Sequence, residues 1–146
     1  MKKILLVAIF LLFTLTANTE MIVKSENIVE VKKELTMDNI VEYMKEIELA
    51  HVEILLAQIH LETGNLKNIK HENNLFGFRF NKYLTFESWE ECIDYMKTWQ
   101  DKHWVNYTNK GGKDYYRFLL QKKFAEDANY IAKLKKITKL YNNVGK

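Results

Sequence analysis

The segment from His51 to Thr63 constrains the fold most, because it is a mostly apolar helical pattern that carries a carboxylate, Glu62, in its last turn. Leu55, Ile59 and Glu62 have the i, i+4, i+7 spacing of one helix face, so the carboxylate lies on the core side. Gly64 suits the left-handed conformation that commonly ends a helix. An acid that a helix end brings to a cleft wall is placed as a general acid needs to be. The alternative is a helix that ends in an exposed glutamate.

The composition favours a single helical domain. A chain of 146 residues can form one compact domain with one core, and it contains no proline. Its many charged, apolar and unbranched residues favour helix over strand. Cys92 is the only cysteine, so no intramolecular disulfide forms, and its apolar neighbours indicate a buried thiol. We therefore expect an all-α fold, with one small hairpin as its most extensive β-structure.

The N-terminus has the pattern of a secretory signal peptide. Lys2 and Lys3 precede an apolar stretch from Ile4 to Leu15, and small residues follow. This stretch is shorter than the roughly 20 residues that span a membrane, although an uncleaved anchor is the alternative for residues 1–17. We expect export to the periplasm or the cell envelope. The charged residues 18–35 are interpreted as a tether, and residues 36–146 as the folded domain.

The charge is distributed unevenly along the chain, although the formal net charge is only +3. Residues 18–62 carry 10 acids and 4 bases, whereas residues 63–146 carry 16 bases and 9 acids. A basic C-terminal half could favour an anionic envelope polymer, a membrane surface or nucleic acid. Solvated helix faces account for most of these lysines. No arginine-rich motif accompanies them, so nucleic acid is not an expected partner.

Further helices are predicted from periodicity and capping residues, and they begin near Thr36, Ser88, Asp114 and Asp127. The last of them extends to about Tyr141. The polar segment from Asn106 to Gly112 predicts a loop between two of these helices. The segment from Leu75 to Tyr83 alternates and is aromatic, which predicts a brief extended or hairpin segment.

Four sequence blocks, taken in order, resemble the bacterial glucosaminidase family of peptidoglycan hydrolases. The blocks are Leu56–Gly64, Asn73–Gly77, Tyr83 with Phe86–Trp89, and Phe124–Leu134. The resemblance covers roughly Asp38 to Tyr141, and it implies a lysozyme-like helical fold. Only five residues separate Gly77 from Tyr83, which implies a reduced β-lobe.

The resemblance also implies a set of site residues. Glu62 matches the catalytic acid of the family, Asn74 and Phe76 match its cleft turn, and Tyr130 matches a tyrosine that faces the cleft. Five aromatic residues are candidates to stack on sugar rings, with packing in the core as the alternative for each: Phe76, Phe78, Tyr83, Tyr116 and Trp104.

The chain lacks the usual second carboxylate, because none of the five residues between Gly77 and Tyr83 is acidic. A two-carboxylate mechanism uses such a group to stabilise the positive charge that develops on the sugar. Three replacements stay open: a water held by Tyr130 or Asn74, the side chain of Glu72, or the 2-acetamido group of the substrate.

We therefore expect an exported endo-β-N-acetylglucosaminidase that cleaves the β-1,4 bond after N-acetylglucosamine in peptidoglycan. Peptidoglycan glycan strands are the expected partner, and the protein is expected to be a monomer without a metal or other cofactor. The alternative is a non-catalytic glycan-binding or structural protein of the cell envelope that has the same fold.

Overall fold

The computed structural model of the protein describes residues 33–144. The predicted signal peptide, residues 1–17, and residues 18–32 of the predicted tether lie outside the described residues. The described part contains five α-helices: α1 (Met37–Glu46), α2 (Val52–Thr63), α3 (Trp89–Asn109), α4 (Tyr115–Gln121) and α5 (Tyr130–Thr138). A 3₁₀ turn, Lys139–Tyr141, follows α5. Between residues 33 and 144 there is no β-sheet, and the hairpin is reduced to an isolated bridge between Arg79 and Tyr83. The predicted all-α fold is confirmed.

The predicted capping residues begin their helices as expected. The side-chain oxygens of Thr36 and Ser88 accept hydrogen bonds from the backbone N–H groups three residues later, each at 3.2 Å. Asp114 accepts from two backbone N–H groups of α4. At the C-terminal end of α2, Gly64 adopts the predicted left-handed conformation, with φ of 59°. Local side-chain chemistry therefore sets these helix ends.

Two helix boundaries differ from the prediction. Helix α3 continues to Asn109 through the segment predicted to be a loop. It continues because Trp104 and Tyr107 pack against Phe118 of α4, which keeps this face of the helix partly buried. The last helix begins three residues later than predicted, at Tyr130. The residues before it form a turn in which the Tyr130 N–H donates to the Asp127 carbonyl at 2.9 Å.

Helix α2 is the centre of the core. Eight of its twelve residues are buried, as is usual for a helix surrounded by the rest of a domain. It packs against α1, α5 and the 3₁₀ turn. Cys92 of α3 is fully buried, and its sulfur accepts a hydrogen bond from the Leu75 N–H at 3.3 Å. Burial raises the pKa of this thiol to about 12, so Cys92 is the structural residue that the sequence indicates.

The helices of residues 33–144 include none with the length and apolar character needed to span a lipid bilayer.

Candidate active site

A cavity of about 820 Å³ lies beside the C-terminal end of α2. Four parts of the chain form its walls: the last turn of α2, segment 76–84, the middle of α3, and segment 122–133. This volume lies within the range of roughly 300–1,000 Å³ that is typical of small-molecule sites. Five of the nine candidate site residues line the cavity: Glu62, Phe76, Phe78, Tyr83 and Tyr130. The other four do not: Glu72, Asn74, Trp104 and Tyr116.

Glu62 projects into the cavity from the last turn of α2, where it is only partly exposed. The backbone of Gly77 packs directly against its carboxyl group, since a Cβ atom at position 77 would lie 2.8 Å from Oε2 of Glu62. Gly77 also has a φ of 65°, which disfavours residues with a side chain. Glycine therefore fits this position for two reasons, and the turn after α2 holds the carboxyl group in place.

Burial is the main influence on Glu62, and it raises the pKa of the carboxyl group above the ordinary value. The positive charge of Lys70 and a hydrogen bond from Tyr130 act in the opposite direction, but they do not cancel the effect of burial. A glutamic acid in such surroundings keeps its proton to a higher pH than an exposed one. Glu62 is thus suited to donate a proton into the cavity.

Tyr130 is 6% exposed, and its hydroxyl group lies between Glu62 and a second polar side chain, Gln58. The amide Nε2 of Gln58 donates a hydrogen bond to the Tyr130 oxygen at 3.2 Å. Because that oxygen accepts from Gln58, the hydroxyl proton of Tyr130 is free to point at Glu62. Burial also raises the pKa of Tyr130, which keeps the hydroxyl protonated. Gln58 is fully buried in α2 and was not among the predicted site residues.

Asn74 lies outside the lining of the cavity, where its side chain holds the turn together. Its Nδ2 donates to the carbonyl oxygens of Phe78 and Leu84 at 2.8 and 2.9 Å. Its Oδ1 accepts from the Phe78 N–H at 2.9 Å. The amide is therefore engaged on both sides by the backbone. Asn74 shapes the segment that carries Gly77 and Phe78, and its predicted contact with substrate stays a prediction.

The aromatic residues predicted to contact sugar differ in how accessible they are. Phe76 is 1% exposed and belongs to the core, whereas Phe78 is partly exposed and packs against Tyr95 at a centroid distance of 4.9 Å. Tyr83 is 43% exposed and stacks on His71, with ring centroids 3.9 Å apart. Phe80, which is not among the predicted site residues, also lines the cavity and is 77% exposed. The most accessible rings are therefore those of Phe80 and Tyr83.

Besides Glu62, the carboxylates that line the cavity do not include Glu72, the second carboxylate that the sequence offered. Glu72 is exposed and does not line the cavity. Glu126 and Asp127, in the connection between α4 and α5, do line it. Glu126 pairs with Arg79, and Asp127 pairs with Lys133 at 2.5 Å. The hydrogen bond from Lys133 is the main cause that lowers the pKa of Asp127.

Residues 33–144 contain no group of three or more His, Cys, Asp and Glu side chains arranged to hold a metal ion.

Comparison with known proteins gives one family match. The model of the glucosaminidase family, described as mannosyl-glycoprotein endo-beta-N-acetylglucosaminidase, matches residues 37–143. The match begins at the first residue of α1 and extends past the 3₁₀ turn, so it includes all five helices and the cavity. No curated protein and no solved structure matches the chain significantly. The family resemblance seen in the sequence is confirmed.

Proposed function

The chain belongs to the glucosaminidase family of glycoside hydrolases, and we propose that it is an exported endo-β-N-acetylglucosaminidase acting on peptidoglycan. In this proposal it cleaves the β-1,4 bond after N-acetylglucosamine, and Glu62 is the general acid. The observation that carries the proposal is the position of Glu62, partly buried in the wall of the cavity with a raised pKa. A general acid for glycoside cleavage needs both access to the bond and a proton near neutral pH.

The first chemical step is the transfer of the Glu62 proton to the glycosidic oxygen. The bond between C1 and that oxygen then breaks, and its electron pair stays on the departing oxygen. The hydroxyl group of Tyr130 stabilises the Glu62 carboxylate that remains, because a hydrogen bond to a charged group favours the charged form.

A group on the opposite face of the sugar ring must stabilise the positive charge that develops at C1. Glu72 is outside the cavity, and Glu126 and Asp127 are held in ion pairs with cationic side chains. An adjacent cation makes a carboxylate a weaker base. We therefore assign this role to the carbonyl oxygen of the substrate's 2-acetamido group, with an oriented water as the alternative. In the acetamido route this carbonyl oxygen forms a bond to C1. A water molecule then adds to C1 and gives its proton to the Glu62 carboxylate, while the bond between C1 and the acetamido oxygen breaks and its electron pair returns to that oxygen.

A second function is a non-catalytic glycan-binding or structural protein with the same fold. The observation in its favour is the short segment between Gly77 and Tyr83, which supplies no carboxylate. Against it, a binding protein has no need of a partly buried acid with a raised pKa in its cleft.

Product analysis distinguishes these functions. Purified peptidoglycan is digested with the full chain, and the new reducing ends are then reduced with borohydride and identified by mass spectrometry. The proposal requires N-acetylglucosaminitol. The appearance of N-acetylmuramitol would assign the cleavage to the other glycosidic bond. Binding without any new reducing ends would support the non-catalytic alternative.

Export is part of the proposal, and it depends on residues 1–17. Their basic start and apolar stretch are typical of a secretory signal peptide. Fractionation of expressing cells, followed by N-terminal sequencing of the protein, tests it. Retention in the cytoplasm would contradict export, and an intact N-terminus in the membrane fraction would indicate an anchor.

A further inference from the structure

One part of the cavity wall is basic and carries no balancing acid. Lys102 and His103 come from α3, and Lys122 and Lys123 directly follow α4. None of these four side chains forms an ion pair with an acidic residue in the described range, 33–144. We call these four residues the basic wall.

The other cationic side chains that line the cavity are paired. Arg79 contacts Glu126, and Lys133 contacts Asp127. Their charges are therefore largely balanced within the protein, whereas the charges of Lys102, Lys122 and Lys123 line the cavity without an acidic partner among residues 33–144. An uncompensated positive potential inside a cleft attracts an anionic group of the ligand.

His103 fits this arrangement as a hydrogen-bond acceptor. Its Nδ1 lies 3.2 Å from Nζ of Lys122, so a neutral imidazole can accept a hydrogen bond from that ammonium group. Burial, followed by the charges of Lys122 and Lys102, lowers the pKa of His103 and favours the neutral ring. This contact joins Lys122 to His103 of α3, and both residues line the cavity.

Lys123 occupies a backbone position that normally belongs to glycine. Its φ is 50°, and its N–H donates to the Leu120 carbonyl while the Phe124 N–H donates to the Leu119 carbonyl. These two hydrogen bonds form the Schellman motif that ends a helix, in which glycine is the usual residue at the left-handed position. A residue with a side chain is disfavoured in this conformation. The chain thus bears backbone strain at a residue whose basic side chain lines the cavity.

We propose that the basic wall is an anion subsite that binds a carboxylate of the peptide arms carried by the glycan strand. The proposal rests on the proposed function, because it takes peptidoglycan as the ligand. In peptidoglycan every second sugar bears a lactyl group extended by a peptide, and these peptides carry free carboxylates. Neutral polymers of N-acetylglucosamine lack such groups, so the subsite distinguishes peptidoglycan from them.

Binding measurements test the subsite without depending on hydrolysis. The full chain with Glu62→Gln is the parent, and its binding to insoluble peptidoglycan is measured by sedimentation. Three preparations are compared: untreated material, material whose carboxylates have been chemically amidated, and material whose phosphate polymers have been removed by acid. The last preparation separates a carboxylate ligand from a phosphate of attached wall polymers.

The informative variant is Lys122→Gln/Lys123→Gln, and its matched control is Lys136→Gln/Lys139→Gln. The control removes the same charge from two exposed lysines that do not line the cavity. Loss of two partly exposed charge contacts should weaken binding to untreated peptidoglycan by about fivefold, and the control should bind like the parent. Amidation should weaken the parent similarly and abolish the difference between parent and variant, whereas acid treatment should leave that difference unchanged. Circular dichroism checks that each variant is folded.

Three results would overturn the subsite. These are equal binding by the variant and its control, binding by the parent that is insensitive to amidation, and no measurable binding by the parent. If acid treatment instead abolishes the difference, the ligand is a phosphate and the assignment to carboxylate is wrong. Failure of the wild-type chain to cleave peptidoglycan would contradict the proposed function alone, since the binding comparison uses a variant without the acid.

Discussion

Gly77 and Glu62 are in such close contact that no side chain fits between them. A Cβ atom at position 77 would lie 2.8 Å from Oε2 and 3.3 Å from Cδ of Glu62. The contact joins the end of α2 to the turn that Asn74 holds in place. A helix end and a turn thus fix the proposed acid together, although they are separated by an irregular segment of the chain.

Gly77→Ala is expected to reduce cleavage more than stability. The new methyl group would push the Glu62 carboxyl group aside, and a displacement of about 1 Å in a catalytic group can cost roughly 100-fold in rate. Gly111→Ala is the matched control, because Gly111 also has a positive φ, 86°, but has no atom within 4 Å of its Cβ position. Both variants should lose about 1–2 kcal/mol of stability from the backbone alone. Turnover measurements and denaturant titrations of both proteins check this, and equal activity of the two would show that the contact has no part in catalysis.

Glu62→Gln is expected to abolish cleavage and leave the fold intact. The amide keeps the shape of the side chain but cannot donate the proton, and loss of general acid catalysis costs about 10²–10⁴-fold. A zymogram on peptidoglycan, with wild type beside the variant, measures the loss.

Glu72→Gln is the control for this prediction, because Glu72 is exposed and outside the cavity. It should clear peptidoglycan like the wild type. A Glu62→Gln protein with near wild-type activity would show that Glu62 is not the acid. A large loss in Glu72→Gln would restore Glu72 as the second catalytic group.

The raised pKa of Glu62 makes both activity and stability depend on pH. Cleavage should persist above the range of an ordinary glutamic acid, about 4.3, and fall as the pH rises through the raised value. The folded state holds this proton more tightly than the unfolded chain, so the stability linked to it is present at low pH and is lost as the pH rises through the folded pKa. Melting temperatures of wild type and Glu62→Gln from about pH 4 to 8 measure the effect. The wild type should lose stability relative to the variant as the pH rises, and parallel curves would contradict the shift.

The position of Glu62 and the helix ends set by capping residues were predictable because their causes are local, whereas the end of α3 and the start of α5 were not. Periodic apolar residues, capping side chains and Gly64 lie within a few positions of the features that they determine. The contact between Gln58 and Tyr130 spans 72 residues, and the pair of Arg79 and Glu126 joins two separate loops. Local patterns contain no information about such contacts. They also give no sign that a lysine, in place of glycine, takes the left-handed position after α4.

Tyr130→Phe is expected to change the pH profile as well as the rate. Its hydroxyl group lowers the pKa of Glu62, so its removal should move the alkaline limb of the rate profile to higher pH. The rate should fall because the carboxylate left after proton transfer loses a hydrogen bond. From the sequence alone we expect activity to suffer more than stability. From the structure we also expect Tyr130→Phe to lose about 1–3 kcal/mol of stability, because the buried Gln58 amide loses its acceptor.

Tyr115→Phe separates these two effects. Tyr115 is also buried, and its oxygen accepts from Gln100 Nε2 at 2.8 Å, but it does not line the cavity. Thermal melts of the two variants should show similar losses of stability, while only Tyr130→Phe should shift the pH profile. An unchanged profile in Tyr130→Phe would remove Tyr130 from the site.

The last prediction concerns the group that stabilises the positive charge at C1 of the sugar. In the proposed mechanism the substrate's acetamido oxygen bonds to C1, so a less nucleophilic acyl group should slow the reaction. Substrates with N-acetyl and N-trifluoroacetyl groups are compared under conditions that saturate the enzyme. A steep fall in rate with the trifluoroacetyl group indicates participation, whereas similar rates indicate direct attack by water. Neither route uses an enzyme carboxylate as the nucleophile, because the two carboxylates that line the cavity beside Glu62 are held by Arg79 and Lys133. A covalent glycosyl-enzyme trapped on Glu126, Asp127 or any other acid would refute both routes, since it would show that the protein supplies the nucleophile.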